Sequence, residues 1–235
     1  MIRLDKFLSE MGVGTRSEVK KILKARQVTV NDAVVIKPET KVDPESDIVY
    51  YKDRRICYQK YEYYIFNKPA GCVSATEDNF HKTVMDYITD TVHDDLFPVG
   101  RLDIDTEGLL IITNDGAMAH ELLSPSKHVA KTYYAKIDGM VTEEDVNCFK
   151  EGVDIGEEKL TKPGELVILE SKPISEIELT ITEGKFHQVK RMFEAVDKKV
   201  IYLKRISMGG LKLPVDLKPG EYRALTDDEL DILKQ

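Results

Sequence analysis

One stretch concentrates side chains able to act as nucleophile, base or cation: Pro98-Val-Gly-Arg-Leu-Asp-Ile-Asp-Thr-Glu-Gly-Leu-Leu-Ile-Ile-Thr-Asn-Asp-Gly116. Arg101, Asp103 and Asp105 lie on a short loop bounded by Gly100 and Gly108, and the chain then enters the apolar residues 109–113. That segment is short and stops at the turn signal Asn114-Asp115-Gly116, which predicts a buried strand and not a helix. A carboxylate on a loop that a buried strand holds still is well placed for chemistry. Taken alone, the same residues also describe a Gly-flanked turn with solvated charges, so the surrounding chain has to decide.

Periodicity supplies the elements that must hold this loop. Residues 63–66 read as a strand, followed by the turn Asn67-Lys-Pro-Ala-Gly71, where Pro69 fixes φ and Gly71 permits φ above zero. Residues 79–97 read as a short helix and an acidic loop, and 117–123 as a brief helix stopped near Pro125. Strands are expected at 130–137 and at 176–182, where Ile177, Leu179 and Ile181 alternate. Between them, 142–150 opens with a Thr-x-x-Asp cap and reads as a helix. A helix over 187–196 turns Val189, Met192, Phe193 and Val196 inward and carries Lys190 and Arg191 on its other face. Strands at 200–203, 211–213 and 222–225 precede a helix capped by Thr226 and Glu229. Strands and helices mix without a regular βαβ alternation, so the fold class is α+β on a mostly antiparallel sheet.

The N-terminal part differs in kind. Leu4, Phe7, Leu8 and Met11 recur at helical spacing, and Gly12 to Gly14 end that helix. Thr15-Arg-Ser-Glu18 has the capping-box pattern and starts a second helix with Val19, Ile22 and Leu23 buried. Its outward positions are Arg16, Lys20, Lys21, Lys24 and Arg26, a face that suits either solvent or phosphates. A hairpin around Asn31-Asp32 and a strand at 47–51 follow, and 52–60 reads as a charged linker.

The chain has 235 residues, 42% hydrophobic and 32% charged, the composition of a soluble globular protein. No apolar run approaches a membrane span, and the start of the chain lacks a signal peptide's apolar core, so a cytoplasmic location is expected. Cys57, Cys72 and Cys148 are far apart, and the five histidines show no ligand spacing, so neither a disulfide framework nor a metal site is indicated. Net charge is −8, but residues 1–60 carry +4 and the remainder −12. A basic head on an acidic body is the asymmetry of a nucleic-acid module joined to something else.

Two resemblances organise these observations. Arg3-Leu-Asp-Lys-Phe-Leu, Thr15-Arg-Ser and Val28-Thr-Val-Asn resemble the S4-type RNA-binding domain, assigned here to residues 1–58. Lys68-Pro-Ala-Gly71, the Gly100 to Leu110 loop, Lys131-Thr-Tyr133 and Glu183-Gly-Lys-Phe-His-Gln-Val-Lys-Arg-Met192 together resemble the pseudouridine synthases, which gives residues 59–235 as the catalytic domain. Gly100 ahead of Arg-Leu-Asp, with His187-Gln-Val-Lys-Arg-Met192 and Leu160-Thr-Lys-Pro-Gly164, is similar to the branch typified by small-subunit ribosomal RNA pseudouridine synthase A.

The resemblance implies a cofactor-free isomerisation of a uridine in 16S ribosomal RNA. It makes Asp103 the catalytic carboxylate, Tyr133 the stacking face and phenol beside the uracil, and Lys190 the cation that keeps Asp103 ionised and oriented. Arg101 is implied to fill the space of the flipped base or to hold the RNA backbone. RNA contacts are expected from Arg3, Arg16, Lys20, Lys21, Lys24, Lys68, Lys185, His187, Gln188 and Arg191. The expected partner is 16S RNA or a partly assembled small subunit, met by a monomer without a membrane. The alternatives are a large-subunit synthase and an inert RNA-binding assembly factor. A glycosidase is disfavoured by the need for two placed carboxylates and by the absence of Trp.

Overall fold

The computed structural model describes residues 1–234, which divide into two compact units. One comprises residues 1–62 together with 90–96; the other comprises 63–89 and the chain from Phe97 onward.

The first unit runs β1 (Ile2–Arg3), α1 (Leu4–Glu10), α2 (Arg16–Lys24), β2 (Val28–Val30), β3 (Ala33–Val34), β4 (Lys41–Val42), β5 (Val49–Tyr51) and β6 (Arg54–Ile56). Thr15 and Glu18 form the expected reciprocal cap on α2, the Glu18 carboxylate accepting from the Thr15 backbone N–H at 2.8 Å. Asn31 and Asp32 both take positive φ (49° and 64°), the conformation of the tightest hairpins, so Val30 faces Ala33 in register. β2, β3, β5 and β6 form one antiparallel sheet in the order β3-β2-β5-β6. Leu4, Phe7, Leu8, Val19, Leu23, Val28, Val42 and Val49 are buried together.

Part of the expected linker is therefore a strand. Lys52 and Asp53 turn β5 into β6, and the two arginines of Arg54-Arg-Ile56 disguise a strand with only one buried side chain. Residues 90–96 return to this unit through the buried Glu62, whose carboxylate accepts from the backbone N–H of Val92 (3.1 Å) and of His93 (2.8 Å). His93 Nε2 in turn donates to the Gln59 carbonyl at 2.7 Å.

The second unit is built on nine strands: β7 (Tyr63–Lys68), β8 (Phe97–Val99), β9 (Glu107–Thr113), β10 (Lys131–Asp138), β11 (Glu165–Glu170), β12 (Ile174–Ile181), β13 (Lys199–Met208), β14 (Leu211–Lys212) and β15 (Tyr222–Ala224). A 3-10 turn at Val84–Tyr87 and the helices α3 (Gly116–Leu123), α4 (Glu143–Glu151), α5 (Gln188–Glu194) and α6 (Asp227–Leu233) complete it. The sheet order is β11-β12-β10-β13-β9-β7-β15, with β8 on β9 and β14 on β13. Every pairing is antiparallel apart from that of β9 with β13, which joins two antiparallel halves. The α+β class with a mostly antiparallel sheet is thus as expected.

The parallel junction explains Gly108. It faces Arg205 in register, with φ +104°, and a Cβ there would lie 2.2 Å from the Arg205 carbonyl oxygen. Only glycine allows this approach. Three strands of this unit depart from expectation: β13 is ten residues long where 200–203 is expected, and β8 and β11 lie where no strand is expected. The Leu-Val-Ile-Leu core of β11 does not alternate, so no period-2 signal marks it. Among the described residues no helix is long and apolar enough to cross a membrane.

Candidate active site

The loop carrying Asp103 emerges where β9 meets β13, and its backbone is pinned from several sides. Lys68, fully buried at the end of β7, donates from Nζ to the carbonyls of Thr106 (2.9 Å), Asp103 (3.0 Å) and Pro69 (3.1 Å). An ammonium has three protons, and these acceptors engage all of them. Gly71 N–H donates to the Ile104 carbonyl at 2.7 Å, closing the Lys-Pro-Ala-Gly turn against the same loop. The Ser74 hydroxyl accepts from Leu102 N–H and donates to the Leu102 carbonyl, both at 3.0 Å. The Leu102 side chain is buried in the core with Tyr133 and Val189, so its neighbour Asp103 must turn the other way.

Asp103, Tyr133 and Lys190, which are far apart in sequence, line one pocket of about 90 Å³ with Arg101, Lys185 and His187. Lys190 Nζ lies 3.0 Å from Asp103 Oδ2 and 2.7 Å from Asp105 Oδ1, so one ammonium serves two carboxylates. Burial pulls the Lys190 pKa down, but its hydrogen bonds to Asp105 and Asp103 outweigh that, and the group stays above its ordinary value. For Asp105, burial pushes upward and the Lys190 bond and charge win, leaving its carboxyl below the usual value. His187 Nε2 stands 3.6 Å from Asp103 Oδ1. Its backbone is left-handed (φ 48°, ψ 33°) where it caps α5, which delivers the imidazole and Lys190 to the same carboxylate.

Tyr133 is buried in β10, opposite Leu179 of β12 and Arg205 of β13. A register shift between Thr132 and Tyr133 marks its entry to the pocket. Asp103 keeps 27% of its side chain exposed against 65% for Asp105, so the first carboxylate is the more enclosed. The arrangement offers an oriented carboxylate, a cation fixed to it, a phenol and an aromatic wall. That is equipment for one acid–base or nucleophilic step on a planar substrate.

The expected RNA contacts divide. Arg101 and His187 are exposed at the pocket, and Arg16, Lys20, Lys21 and Lys24 are exposed on α2 of the first unit. Arg3 keeps an exposed side chain while pairing with Asp5 at 2.9 Å. Lys185 lines the pocket, held by Glu157 at 3.2 Å.

Three expectations change. Lys68 cannot touch RNA, because it is buried under the loop it supports. Gln188 lines the pocket but is only 4% exposed, and its amide is engaged by Lys185 N–H and Glu183, so it serves there as a brace. Arg191 is half-buried, bonded to Glu157 and to the carbonyls of Phe186 and Ile155, and does not line the pocket. Sequence reasoning does not mark Ser74, and it quotes Glu183 within a motif without giving it a role. Ser74 lies in a Val-Ser-Ala run with nothing to mark it, whereas Glu183, five residues before Gln188, is visible as an acid inside a basic motif.

The chain is similar to known proteins along its whole length. The RNA pseudouridylate synthase family matches residues 62–195, and the S4 domain matches residues 2–49. The chain is 44% identical, over 100% of its length and 99% of the relative's, to the uncharacterized RNA pseudouridine synthase YtzG of Bacillus subtilis (strain 168). It is 39% identical to ribosomal small subunit pseudouridine synthase A of Escherichia coli (strain K12), over 97% of this chain and 98% of that one. A crystal structure of a pseudouridylate synthase, 36% identical, superposes with a TM-score of 0.70 over 99% of this chain and 100% of the other. The chain belongs to the RNA pseudouridylate synthase family, with an S4 domain at its N-terminus.

Proposed function

We propose that this protein converts one uridine of small-subunit (16S) ribosomal RNA into pseudouridine, with Asp103 as the catalytic carboxylate. The observation that carries the reading is the Asp103–Lys190 pair, 3.0 Å apart in the pocket that Tyr133 lines. It occurs on a chain that matches proteins named ribosomal small subunit pseudouridine synthase A from end to end. The reaction breaks N1–C1′ of the nucleoside, turns the uracil over and forms C5–C1′; the hydrogen on C5 leaves as a proton and N1 gains one. Nothing is oxidised. Asp103 serves either by attacking C1′ or by removing a sugar proton, and Lys190, 3.0 Å away, holds the carboxylate in place for either. The Tyr133 ring supports the extruded uracil, and its hydroxyl relays the final C5 proton, passing its own proton to solvent as it takes that one up.

Exposed Arg16, Lys20, Lys21 and Lys24 hold phosphates of 16S RNA or of a partly assembled subunit, and the protein acts as a cytoplasmic monomer. The test has two arms. Pseudouridine mapping of ribosomal RNA from cells with and without the gene should lose one modification in 16S RNA and none in the large subunit. Tritium release from C5-labelled 16S RNA should fall by more than about a thousandfold in Asp103→Asn, a nearly isosteric change that removes both nucleophile and base. Release at the wild-type rate would overturn the assignment.

A further inference from the structure

Phe186 is 72% exposed, yet it is not a loose side chain. Its ring stacks on His187 with centroids 3.8 Å apart and planes 19° from parallel, so one face is covered and the other is open. The backbone beneath it is held on both sides. Lys185 N–H donates to Gln188 Oε1 at 2.9 Å, Gln188 N–H returns to the Lys185 carbonyl at 3.2 Å, and Arg191 Nη1 donates to the Phe186 carbonyl at 3.1 Å. Glu183 Oε1 fixes the Gln188 amide at 2.8 Å, and Glu157 fixes both Lys185 and Arg191.

A solitary exposed apolar residue is ordinary on a protein surface. Phe80, at 90% exposure, is such a residue, and among the described residues no ring partner holds it. Phe186 differs because the ring it stacks on belongs to the pocket: His187 lines it, with Nε2 3.6 Å from Asp103. The stack therefore continues outward from the catalytic carboxylate as a pre-set pair of nearly parallel rings. Gly184 and Lys185, also at the pocket, adjoin it in sequence and supply a side-chain-free approach and a cation. A rigid aromatic face beside a pocket that takes a flipped nucleotide matches how proteins hold unstacked bases, by stacking that is insensitive to base identity.

We propose that Phe186, braced by His187, is the platform on which the base of a nucleotide adjacent to the target uridine stacks. This rests on reading the pocket as the uridine site. Extrusion of the uridine breaks its neighbour's stacking on one side, and Phe186 replaces the missing partner. It is a positioning residue: it holds the RNA strand in register with Asp103 and does not touch the reacting atoms.

The test uses the full-length protein and the RNA segment containing the mapped uridine, intact or with an abasic residue at the preceding or following position. Equilibrium binding and single-turnover tritium release are both measured. Phe186→Ala should weaken binding of the intact RNA roughly tenfold, and Phe186→Tyr, which keeps the ring, should restore it. Removing the base that stacks should weaken wild-type binding by a similar factor and leave Phe186→Ala almost unaffected, so that the two losses do not add. A Phe186→Ala penalty that is unchanged on both abasic RNAs, or the absence of any penalty, would overturn the proposal. Failure of the wild type to release tritium would count against the isomerase reading, while coupling in binding would still decide the role of Phe186.

Discussion

At the scale of single residues, the decisive feature is one lysine shared by two carboxylates. Asp103 and Asp105 both reach Lys190, and their negative charges face a single ammonium. Because the Asp105 carboxyl lies below its ordinary value in the folded state, this pairing adds stability at neutral pH and loses it as pH falls through that lowered value. In Lys190→Met two carboxylates face each other without a cation, which favours proton uptake by the pair. The acid limb of the single-turnover rate should then move to higher pH, and Lys190→Arg should move it back. A limb that stays in place, measured by tritium release from acid pH upward, would remove Lys190 from the control of ionisation. For Tyr133→Phe the ring and its packing survive and the phenol is absent. RNA binding should remain at the wild-type level while tritium release slows about a hundredfold. Equal rates would reduce Tyr133 to a stacking surface.

Among the elements, the loop that carries Asp103 owes its shape to β7 and the turn after it more than to its own residues. Lys68 is the clearest case: burial lowers its pKa, and the Cys72 thiol and nearby acidic groups oppose that only in part. Replacing it by Met leaves the carbonyls of Asp103, Thr106 and Pro69 without their donor in a buried site. A loss of about 2–3 kcal/mol in stability is expected, read by urea unfolding, with a fall in kcat at saturating RNA as the loop loosens. Unchanged stability would show that water replaces the ammonium. This role cannot be read from sequence. A lysine in a Lys-Pro-Ala-Gly turn reads as an exposed cation, and only the placement of β7 beside β9 reveals that it points inward. Asp103 is legible because motif, strand and Gly108 converge on it. Ser74 is not, since a hydroxyl's partner lies wherever the fold brings it. β11 escapes for a different reason: consecutive apolar residues, of which Leu166 is buried while Val167 and Leu169 are exposed, erase the alternation.

For the molecule as a whole, the charge asymmetry seen in the sequence has a place in the structure. The basic residues of α2 are exposed together, on a helix whose opposite face is buried through Val19 and Leu23. Exchanging Lys20, Lys21 and Lys24 for Gln should weaken RNA binding and reduce its log–log salt slope by roughly two to three units, at about 0.7–0.9 for each phosphate no longer neutralised. The single-turnover rate at saturating RNA should stay within about twofold of wild type, because none of these residues belongs to the pocket. An unaltered slope would take α2 out of the RNA footprint.

The return of residues 90–96 to the first unit makes the chain discontinuous in both units, crossing between them after residues 62, 89 and 96. The N-terminal unit is accordingly not a detachable cassette. Grafting the unit onto another protein would need that distant heptapeptide as well, since without it the buried Glu62 carboxylate loses the amides of Val92 and His93.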